Sequence, residues 1–260
     1  MAPTGTAQYD DLRDKVVLIT GGAAGIGAAT ARAFLAQGAK VAVVDVAQDA
    51  LDDVVAELGA EPDRLIAITA DVSKEDEVKR YVDTTVEKFG RIDVFFNNAG
   101  IGGPVKPIVE VDPAEFDQVI AINLRGCWLG LHFVLPVMYE QRSGSVINTS
   151  SIGGLVAGPM PVSPYVASKF GITGLTRLAA HESAPYGVRV NSVHPSPAAT
   201  QMMTKTENLS GASREEISKS IPLGRYADAD DIANLVLFLG SEQSSFVTGS
   251  EHRVDGGMLS

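Results

Sequence analysis

The fold is decided by the stretch Lys15-Val16-Val17-Leu18-Ile19-Thr20 and the turn that follows it, Gly21-Gly22-Ala23-Ala24-Gly25-Ile26-Gly27. The first part is a continuous apolar run, which is typical of a strand buried on both faces of a sheet. The second part is rich in glycine, which is needed where the backbone turns sharply or a pyrophosphate must come close. Residues 26–37 then show helical spacing and end at a glycine, so they would offer the free N–H groups of a helix start to a phosphate.

The rest of the chain repeats this alternation of short apolar runs and amphipathic stretches. It predicts strands at 15–20, 40–45, 65–69, 92–96, 145–149, 188–193 and 251–254. It predicts helices at 26–37, 49–58, 113–139, 164–185 and 228–240, and one that follows Ser73 as its cap and runs to residue 89. Strands buried on both faces and joined by helices form parallel sheets, so we expect an α/β, Rossmann-type doubly wound parallel sheet of about seven strands with helices on both faces.

Composition bounds the class of protein. A chain of 260 residues suits one larger α/β domain, and the net charge of −11 argues against nucleic acid or an anionic membrane as the main partner. The longest apolar runs are too short to span a bilayer, and the first eleven residues show no secretory signal. The single cysteine, Cys127, excludes intramolecular disulfides and argues against a thiolate metal site. We therefore expect a cytoplasmic protein with no membrane partner and no metal.

The glycine turn by itself leaves open a tight turn without a ligand, because its G-x-x-x-G-x-G spacing differs from the G-x-G-x-x-G of most dinucleotide folds. Asp45 strengthens the nucleotide interpretation. It ends the second predicted strand, where a carboxylate can accept both ribose hydroxyls of adenosine and would repel a 2′-phosphate. No Arg or Lys lies between Gly21 and Gly27 or directly after Asp45. The pattern favours NAD over NADP, with a solvated strand-end acid as the alternative.

Two further strand ends carry residues suited to the adenosine moiety. Asp71 and the N–H of Val72 could hydrogen-bond adenine, although a helix-entry acid explains Asp71 nearly as well. The small residues of Asn98-Ala99-Gly100 would permit close approach of the adenine ribose. Asn97 precedes them, and because buried amides can tie neighbouring strands together, its role could be purely structural.

An acid and base pair is predicted on the helix 164–185. Tyr165 and Lys169 are four residues apart and so share one helix face. A nearby ammonium would lower the pKa of the phenol from about 10, which suits proton transfer near neutral pH. Ser151 follows the fifth strand, where its hydroxyl could hold a substrate oxygen beside Tyr165. Asn123 lies inside a long predicted helix, so it is an exposed or core amide, or marks a local break that binds water.

Together these residues resemble the short-chain dehydrogenase/reductase family, in its single-domain branch of roughly 250 residues. The resemblance covers about residues 14–257. It rests on the glycine turn, Asp71, Asn97-Asn98-Ala99-Gly100, Asn123, Ser151, Tyr165, Lys169 and the ending Val254-Asp255-Gly256-Gly257. One position departs from the family pattern, because Ser196 stands where the family usually has glycine after Pro195.

The resemblance implies a catalytic tetrad that works with a hydride transferred at C4 of a nicotinamide. Tyr165 would be the general acid/base, Lys169 would tune it and hold the nicotinamide ribose, Ser151 would orient the substrate oxygen, and Asn123 would position a relay water. His194 is assigned a structural role, because the tetrad is complete without it. The predicted cofactor-binding set is Gly21, Gly25, Ile26, Gly27, Asp45, Asp71, Val72, Asn98, Ala99, Gly100, Tyr165, Lys169, Pro195, Ala198 and Thr200.

The resemblance also implies an assembly and a substrate region. We expect a single dinucleotide-binding and catalytic domain at 1–260, with a loose lead-in at 1–13, a mobile substrate lid at about 196–222, and a homotetramer. The small and apolar residues of 153–161 favour an uncharged secondary alcohol or ketone, and hence an NAD-dependent alcohol dehydrogenase or ketoreductase. Two alternatives are kept, an NADPH-dependent 3-oxoacyl thioester reductase and a non-catalytic NAD-binding sensor.

Overall fold

The computed structural model describes residues 7–211 and 213–260. Its strands are β1 (Val16–Thr20), β2 (Lys40–Asp45), β3 (Leu65–Thr69), β4 (Val94–Asn97), β5 (Gly144–Thr149), β6 (Val188–Pro195) and β7 (Glu251–Val254). They form one parallel sheet in the order β3-β2-β1-β4-β5-β6-β7. The order reverses direction between β1 and β4, which makes the sheet doubly wound and confirms the predicted architecture.

Helices cover both faces of the sheet. They are α1 (Gly25–Ala36), α2 (Gln48–Leu58), α3 (Glu75–Phe89), α4 (Pro113–Val119), α5 (Gly126–Gln141), α6 (Ser163–Ser183), α7 (Gln201–Ser210), α8 (Arg214–Lys219) and α9 (Ala229–Gly240). Buried residues of α1, α2 and α9 form the core on one face, and those of α3, α5 and α6 form the core on the other. The helices α2 and α3 end at Leu58 and Phe89, as predicted, and each is followed by a glycine, Gly59 or Gly90, with φ of 56° or 83°.

The predicted long helix at 113–139 is not uniform. It begins with α4, whose start is fixed by a capping box between Asp112 and Glu115. A π-helical segment, Ile120–Arg125, then joins it to α5. Such wide turns inside α-helices are rare and are frequent at functional sites. The local break that was one interpretation of Asn123 is therefore present, and Asn123 lies within it.

The same continuous helical stretch, Pro113–Gln141, is long and apolar enough to cross a membrane by length and composition alone, with a mean hydropathy of 1.4 over its best window. This differs from the prediction that no apolar run reaches that length. Half of the window is buried inside the protein. Because α5 packs on β4 and contributes Leu129 and Val134 to the core, burial against the sheet accounts for its apolar character.

One local prediction, the helix cap at Ser73, is wrong. Ser73 does not cap α3, because that helix begins at Glu75 after Lys74 and has no side-chain cap there. The lead-in 1–13 lies partly outside the described residues, but Asp10–Leu12 form a 3-10 turn that buries Leu12. The segment 196–222 lacks periodicity in sequence, yet it contains two short helices, α7 and α8.

Candidate active site

The glycine turn after β1 is too closely packed to admit a side chain at Gly27. Gly21 and Gly25 have φ of 65° and 54°, the left-handed region that glycine adopts without strain. A Cβ at Gly27 would lie 2.0 Å from the carbonyl oxygen of Gly21. The helix α1 begins at Gly25 without a side-chain cap from Ala24, so its first N–H groups remain for another partner. This cradle of N–H groups fits a pyrophosphate.

Asp45 lies at the end of β2 beside this turn. Its carboxylate accepts the N–H of Ala23 at 3.2 Å and the N–H of Val46 at 2.8 Å. These bonds fix the carboxylate next to the glycine turn while leaving acceptor positions on its oxygens. The geometry is compatible with the predicted contact to ribose hydroxyls.

Asp71 and Val72 follow β3. One oxygen of the Asp71 carboxylate, Oδ1, accepts both the N–H and the hydroxyl of Ser73, at 2.9 and 2.7 Å. Val72 is buried, and a Cβ placed at Gly126 would lie 3.0 Å from its Cγ2. Oδ1 of Asp71 is therefore used within the loop that leads to α3, and the predicted adenine contact would use the other oxygen.

The segment Asn98-Ala99-Gly100 is held by the ends of two other strands. The Thr20 hydroxyl accepts the N–H groups of Asn98 and Ala99, and the Asn98 amide donates to the Thr20 carbonyl at 3.1 Å. Thr149 Oγ1 donates to Asn98 Oδ1 at 3.1 Å. Sequence reasoning missed Thr20, although a small hydroxyl residue at the end of β1 is a usable signal. Asn98 thus ties β1, β4 and β5 together. The strand-tying alternative was left open for the buried Asn97, whose amide donates to Asn148 Oδ1 at 3.1 Å and so joins β4 to β5.

Asn123 projects from the π-helical segment into the site. Its side-chain amide accepts the N–H of Ile101 at 2.8 Å and donates to the Ile101 carbonyl at 2.9 Å and to Ser168 Oγ at 3.1 Å. The side chain is fully buried. A Cβ placed at Gly100 would lie 3.2 Å from Asn123 Oδ1 and 3.6 Å from Lys169 Nζ, so the two side chains meet at this glycine.

Ser151, Tyr165 and Lys169 converge where β5 meets α6. The ammonium of Lys169 lies 5.5 Å from the centroid of the Tyr165 ring and donates to the carbonyl of Thr149 at 2.8 Å. Ser151 Oγ accepts the N–H of Gly153 at 3.1 Å. A Cβ placed at Gly153 would lie 3.5 Å from Ser151 Oγ and 3.7 Å from the Tyr165 ring, so these two side chains are neighbours. The structure therefore brings together all four predicted members of the tetrad, including Asn123.

The electrostatics of this group differ from the sequence prediction. Burial raises the pKa of Tyr165, and the hydrogen bond with Ser151 opposes that rise. Burial also lowers the pKa of Lys169 to about 8. The expected lowering of the phenol pKa by the ammonium is therefore wrong for the polypeptide alone. A phenol with a raised pKa is protonated at neutral pH and is ready to donate its proton.

The segment 195–200 closes the site at the end of β6. The N–H of Ser196 donates to the Val254 carbonyl at 3.1 Å, and Ala198 pairs with Ala227. Thr200 Cγ2 lies 3.3 Å from the position of a Cβ at Gly25. The segment therefore reaches back to the glycine turn, as a cofactor spanning both would require.

A cavity of about 280 Å³ lies between the loop after β4, α4 and α7. It is lined by Gly103, Pro104, Val105, Lys106, Glu115, Gln118, Val119 and Leu209. The ammonium of Lys106 and the carboxylate of Glu115 pair across 2.8 Å beside it. These residues are not those of the predicted substrate wall at 153–161, so this mostly apolar cavity with its Lys106–Glu115 pair was not anticipated.

Comparison with known proteins identifies the family. The sequence profile described as enoyl-(acyl carrier protein) reductase matches residues 21–259. Levodione reductase of Leifsonia aquatica is 46% identical over 252 residues, which cover 94% of each chain. The 3-oxoacyl-(acyl-carrier-protein) reductase FabG of Thermotoga maritima is 40% identical, over 95% of this chain and 99% of its own.

Solved structures agree with this result. The crystal structure of levodione reductase superposes with a TM-score of 0.91 over 94% of this chain and 97% of its own, at 43% identity. That of NAD+-bound xylitol dehydrogenase gives 0.89 over 95% and 99%, at 33% identity. The match in sequence and in fold extends over nearly the whole chain. The protein is therefore an oxidoreductase that belongs to the short-chain dehydrogenase/reductase family, whose members bind a nicotinamide cofactor.

Proposed function

We propose that the protein is an NAD(H)-dependent oxidoreductase that transfers a hydride between nicotinamide and a secondary alcohol or ketone, with Tyr165 as the general acid/base. The carrying observation is the convergence of Ser151, Tyr165 and Lys169 at the sheet edge that also holds the glycine turn. The nicotinamide, when bound, supplies or accepts the hydride. The protein must then move one proton to or from the substrate oxygen.

Each member of the tetrad has a separate task in this proposal. Tyr165 donates its proton to the carbonyl oxygen during reduction, which its raised pKa favours, and recovers it during oxidation. Ser151 donates a hydrogen bond to the same substrate oxygen and so aligns it with the phenol. Lys169 holds its ammonium between Tyr165 and the nicotinamide ribose, because the Thr149 carbonyl fixes it there. Asn123 keeps the loop at Ile101 in place and positions a water that relays the proton.

The cofactor set follows the carboxyl edge of the sheet. Gly21, Gly25, Ile26 and Gly27 would hold the pyrophosphate, and Asp45 would accept the adenosine ribose hydroxyls. Asp71, Val72, Asn98, Ala99 and Gly100 would surround adenine and its ribose, and Pro195, Ala198 and Thr200 would contact the carboxamide. A carboxylate at Asp45 repels a 2′-phosphate, which supports NAD over NADP. The xylitol dehydrogenase similar to this chain has been solved with NAD+ bound.

We further propose that the substrate is a small uncharged molecule. The segment 196–222, with α7 and α8, would act as its lid within a single dinucleotide-binding and catalytic domain. Trp128 on α5, and Phe170 and Leu178 on α6, are large apolar side chains with 43–56% exposure, which supports a homotetramer built on these helices. The acidic charge supports the absence of nucleic-acid and membrane partners, and a cytoplasmic location is part of the proposal.

A second candidate is an NADPH-dependent 3-oxoacyl thioester reductase. It is favoured by the 40% identity to the Thermotoga maritima enzyme over almost the full length of both chains. Asp45 and the lack of basic residues around the glycine turn speak against it. A non-catalytic NAD-binding sensor is less favoured, because a sensor has no need of Ser151, Tyr165 and Lys169 together.

Replacement of Tyr165 by Phe tests the proposal. We expect turnover to fall by about 10²- to 10⁴-fold, because the proton donor is lost while the ring remains. NADH binding, followed by fluorescence titration, should be nearly unchanged. Tyr186→Phe is the matched control, since this half-exposed ring stacks on Tyr139 away from the site. Near-normal turnover of Tyr165→Phe would contradict the assignment of Tyr165 as the general acid/base.

The substrate and cofactor classes are separated by absorbance at the nicotinamide band. The purified protein is offered NAD or NADP with secondary alcohols, and NADH or NADPH with ketones and 3-oxoacyl thioesters. Turnover with NAD and an uncharged alcohol is the expected result. Turnover with NADPH and thioesters alone would establish the second candidate, and tight NADH binding without turnover would favour the sensor.

A further inference from the structure

His194 is a fully buried histidine that contacts the candidate active site through the backbone of Ser151. It lies near the end of β6, and its ring is hydrogen-bonded at both nitrogens. Nδ1 is 2.8 Å from the carbonyl oxygen of Ser151, and Nε2 is 2.8 Å from the hydroxyl of Ser192. A buried ring with two partners and one neighbour in the tetrad has a defined orientation.

The partners also fix the tautomer of this ring. A carbonyl oxygen can only accept, so Nδ1 of His194 carries the hydrogen and donates to Ser151. In a neutral ring Nε2 is then an acceptor, and the Ser192 hydroxyl donates to it. Burial lowers the pKa of His194, which keeps it neutral. Of the charged or titratable groups that act on it, Lys169 of α6 and His252 of β7 lower this pKa further, while Glu251 of β7 raises it.

The ring occupies the point where the backbone ladder between β5 and β6 stops. The N–H of Ser150 donates to the Val193 carbonyl at 2.9 Å, which continues the pairing of Thr149 with Val193. The next donor from β6 would be the N–H of residue 195, but Pro195 has none. Ser151 is therefore the first residue of this loop that the ladder cannot hold. The His194 side chain supplies a tie from β6 one residue beyond the end of the ladder, at the carbonyl of Ser151.

We propose that His194 is a positioning residue for Ser151, an inference that rests on the proposed function of Ser151 in orienting the substrate oxygen. Its Nδ1 hydrogen holds the Ser151 carbonyl, and Ser192 holds the tautomer that makes this possible. The Ser151 hydroxyl can then face Tyr165 instead of following a loose loop. Removing the donor should reduce the rate of the chemical step without affecting the distant adenosine end of the cofactor site.

A double-mutant cycle tests this inference. His194→Leu removes the donor at similar size, and His194→Asn keeps an N–H close to the position of Nδ1. We expect kcat to fall on the order of 10- to 100-fold in His194→Leu, the range expected of a misplaced group. His194→Asn should recover to within about threefold of the unmodified protein. In the Ser151→Ala variant, adding His194→Leu should lower kcat by less than a further factor of about three, because the effect of His194 acts through Ser151.

Controls separate positioning from a general loss of structure. His181→Leu makes the same substitution at an exposed histidine near the end of α6, and it should leave kcat unchanged. Thermal unfolding and NADH titration verify that each variant is folded. If His194→Leu does not fold, Ser192→Ala replaces it in the double-mutant cycle. Ser192→Ala should lower kcat by a smaller factor, and this decrease should also vanish in the Ser151→Ala variant.

Two outcomes would overturn the inference. The first is that His194→Leu, or Ser192→Ala in its place, lowers kcat by the same factor whether residue 151 is Ser or Ala. The second is that His194→Asn is as slow as His194→Leu. Either result with an inactive Tyr165→Phe variant would leave the proposed function intact and remove only the role of His194. An active Tyr165→Phe variant would instead contradict the proposed function itself.

Discussion

The catalytic floor, formed by Asn123, Ser151, Lys169 and His194, contrasts with the lid segment formed by α7 and α8. The four floor residues are buried, and each is hydrogen-bonded to a backbone group. The described residues of the lid helices include no fully buried side chain. The difference indicates that the residues proposed for the chemistry are fixed by the sheet, while the segment proposed to cover the substrate is weakly held.

The two regions also differ in how they affect stability. A lysine such as Lys169 loses its hydration on burial, which lowers the free energy of unfolding. Such buried charges are found mainly at functional sites, where the chemistry requires the group. The lid carries less of this cost, because its capping serine, Ser213, and most of its polar side chains are exposed, with Glu207 of α7 as an exception at 16% exposure. The comparison therefore predicts that substitutions in the floor lower activity strongly and can raise stability, while those in the lid change both only slightly.

Among the floor and lid residues compared, the largest expected effect is that of Lys169→Met. We expect turnover to fall by at least about 10²-fold, because the group that tunes Tyr165 and holds the ribose is lost. The free energy of unfolding at pH 7 should rise by about 3 kcal/mol, because the pKa of Lys169 is lowered from 10.5 to about 8 in the folded chain.

The sign of this effect can be tested through its pH dependence. The unfolded chain binds more protons than the folded one between pH 8 and 10.5, so the unmodified protein gains stability in that window. Denaturant unfolding of both proteins at pH 7 and 9.5 should show the advantage of Lys169→Met shrinking at the higher pH. A variant that is less stable at pH 7, or an advantage independent of pH, would contradict a desolvated lysine.

A smaller effect is expected at the nucleotide end of the cleft. Asp45→Ala should weaken NAD binding by about 10- to 100-fold, the value of a hydrogen bond to a charged group, and should relax the discrimination against NADP. Steady-state kcat/KM with each cofactor measures both changes. Asp49→Ala on the exposed start of α2 is the matched control and should change neither. An unchanged NAD to NADP ratio in Asp45→Ala would show that another residue selects the cofactor.

The floor and the glycine turn could be predicted from the sequence because their residues have few substitutes. Only glycine fits at Gly27, and the spacing of Tyr165 and Lys169 places them on one face of any helix. The strands were predictable because burial on both faces requires continuous apolar runs. A continuous apolar pattern also made Pro113–Gln141 resemble one uniform helix. The only residue that indicated the π-helical turn inside it was Asn123, a poor helix former.

The contacts that complete the floor could not be predicted in the same way. Lys169 is held by the carbonyl of Thr149, and Asn123 by the backbone of Ile101, and backbone groups carry no residue-specific signal. The raised pKa of Tyr165 depends on burial, which is a property of the packed site. The helices of the lid could not be predicted because they are short and polar, so their sequence shows no clear hydrophobic periodicity. The helix α8 has only six residues.

The smallest expected effect lies in the lid, where Arg214 connects α8 to the body of the protein. Its guanidinium lies 4.8 Å from the ring centroid of Tyr226 and 3.6 Å from the carboxylate of Glu207 on α7. Arg214 is half-exposed, so each contact is worth at most about 1 kcal/mol. Arg214→Met should therefore raise the KM of the substrate by no more than about fivefold, with little change in unfolding temperature.

Lys219→Met is the matched control for this prediction. It removes a 2.9 Å ion pair with Glu215 that lies wholly within α8 and touches no other element. Its KM should equal that of the unmodified protein, because an internal pair does not connect the lid to Tyr226. A hundredfold decrease of kcat in Arg214→Met would contradict the contrast between floor and lid, since it would place on the lid a residue that acts in the chemical step.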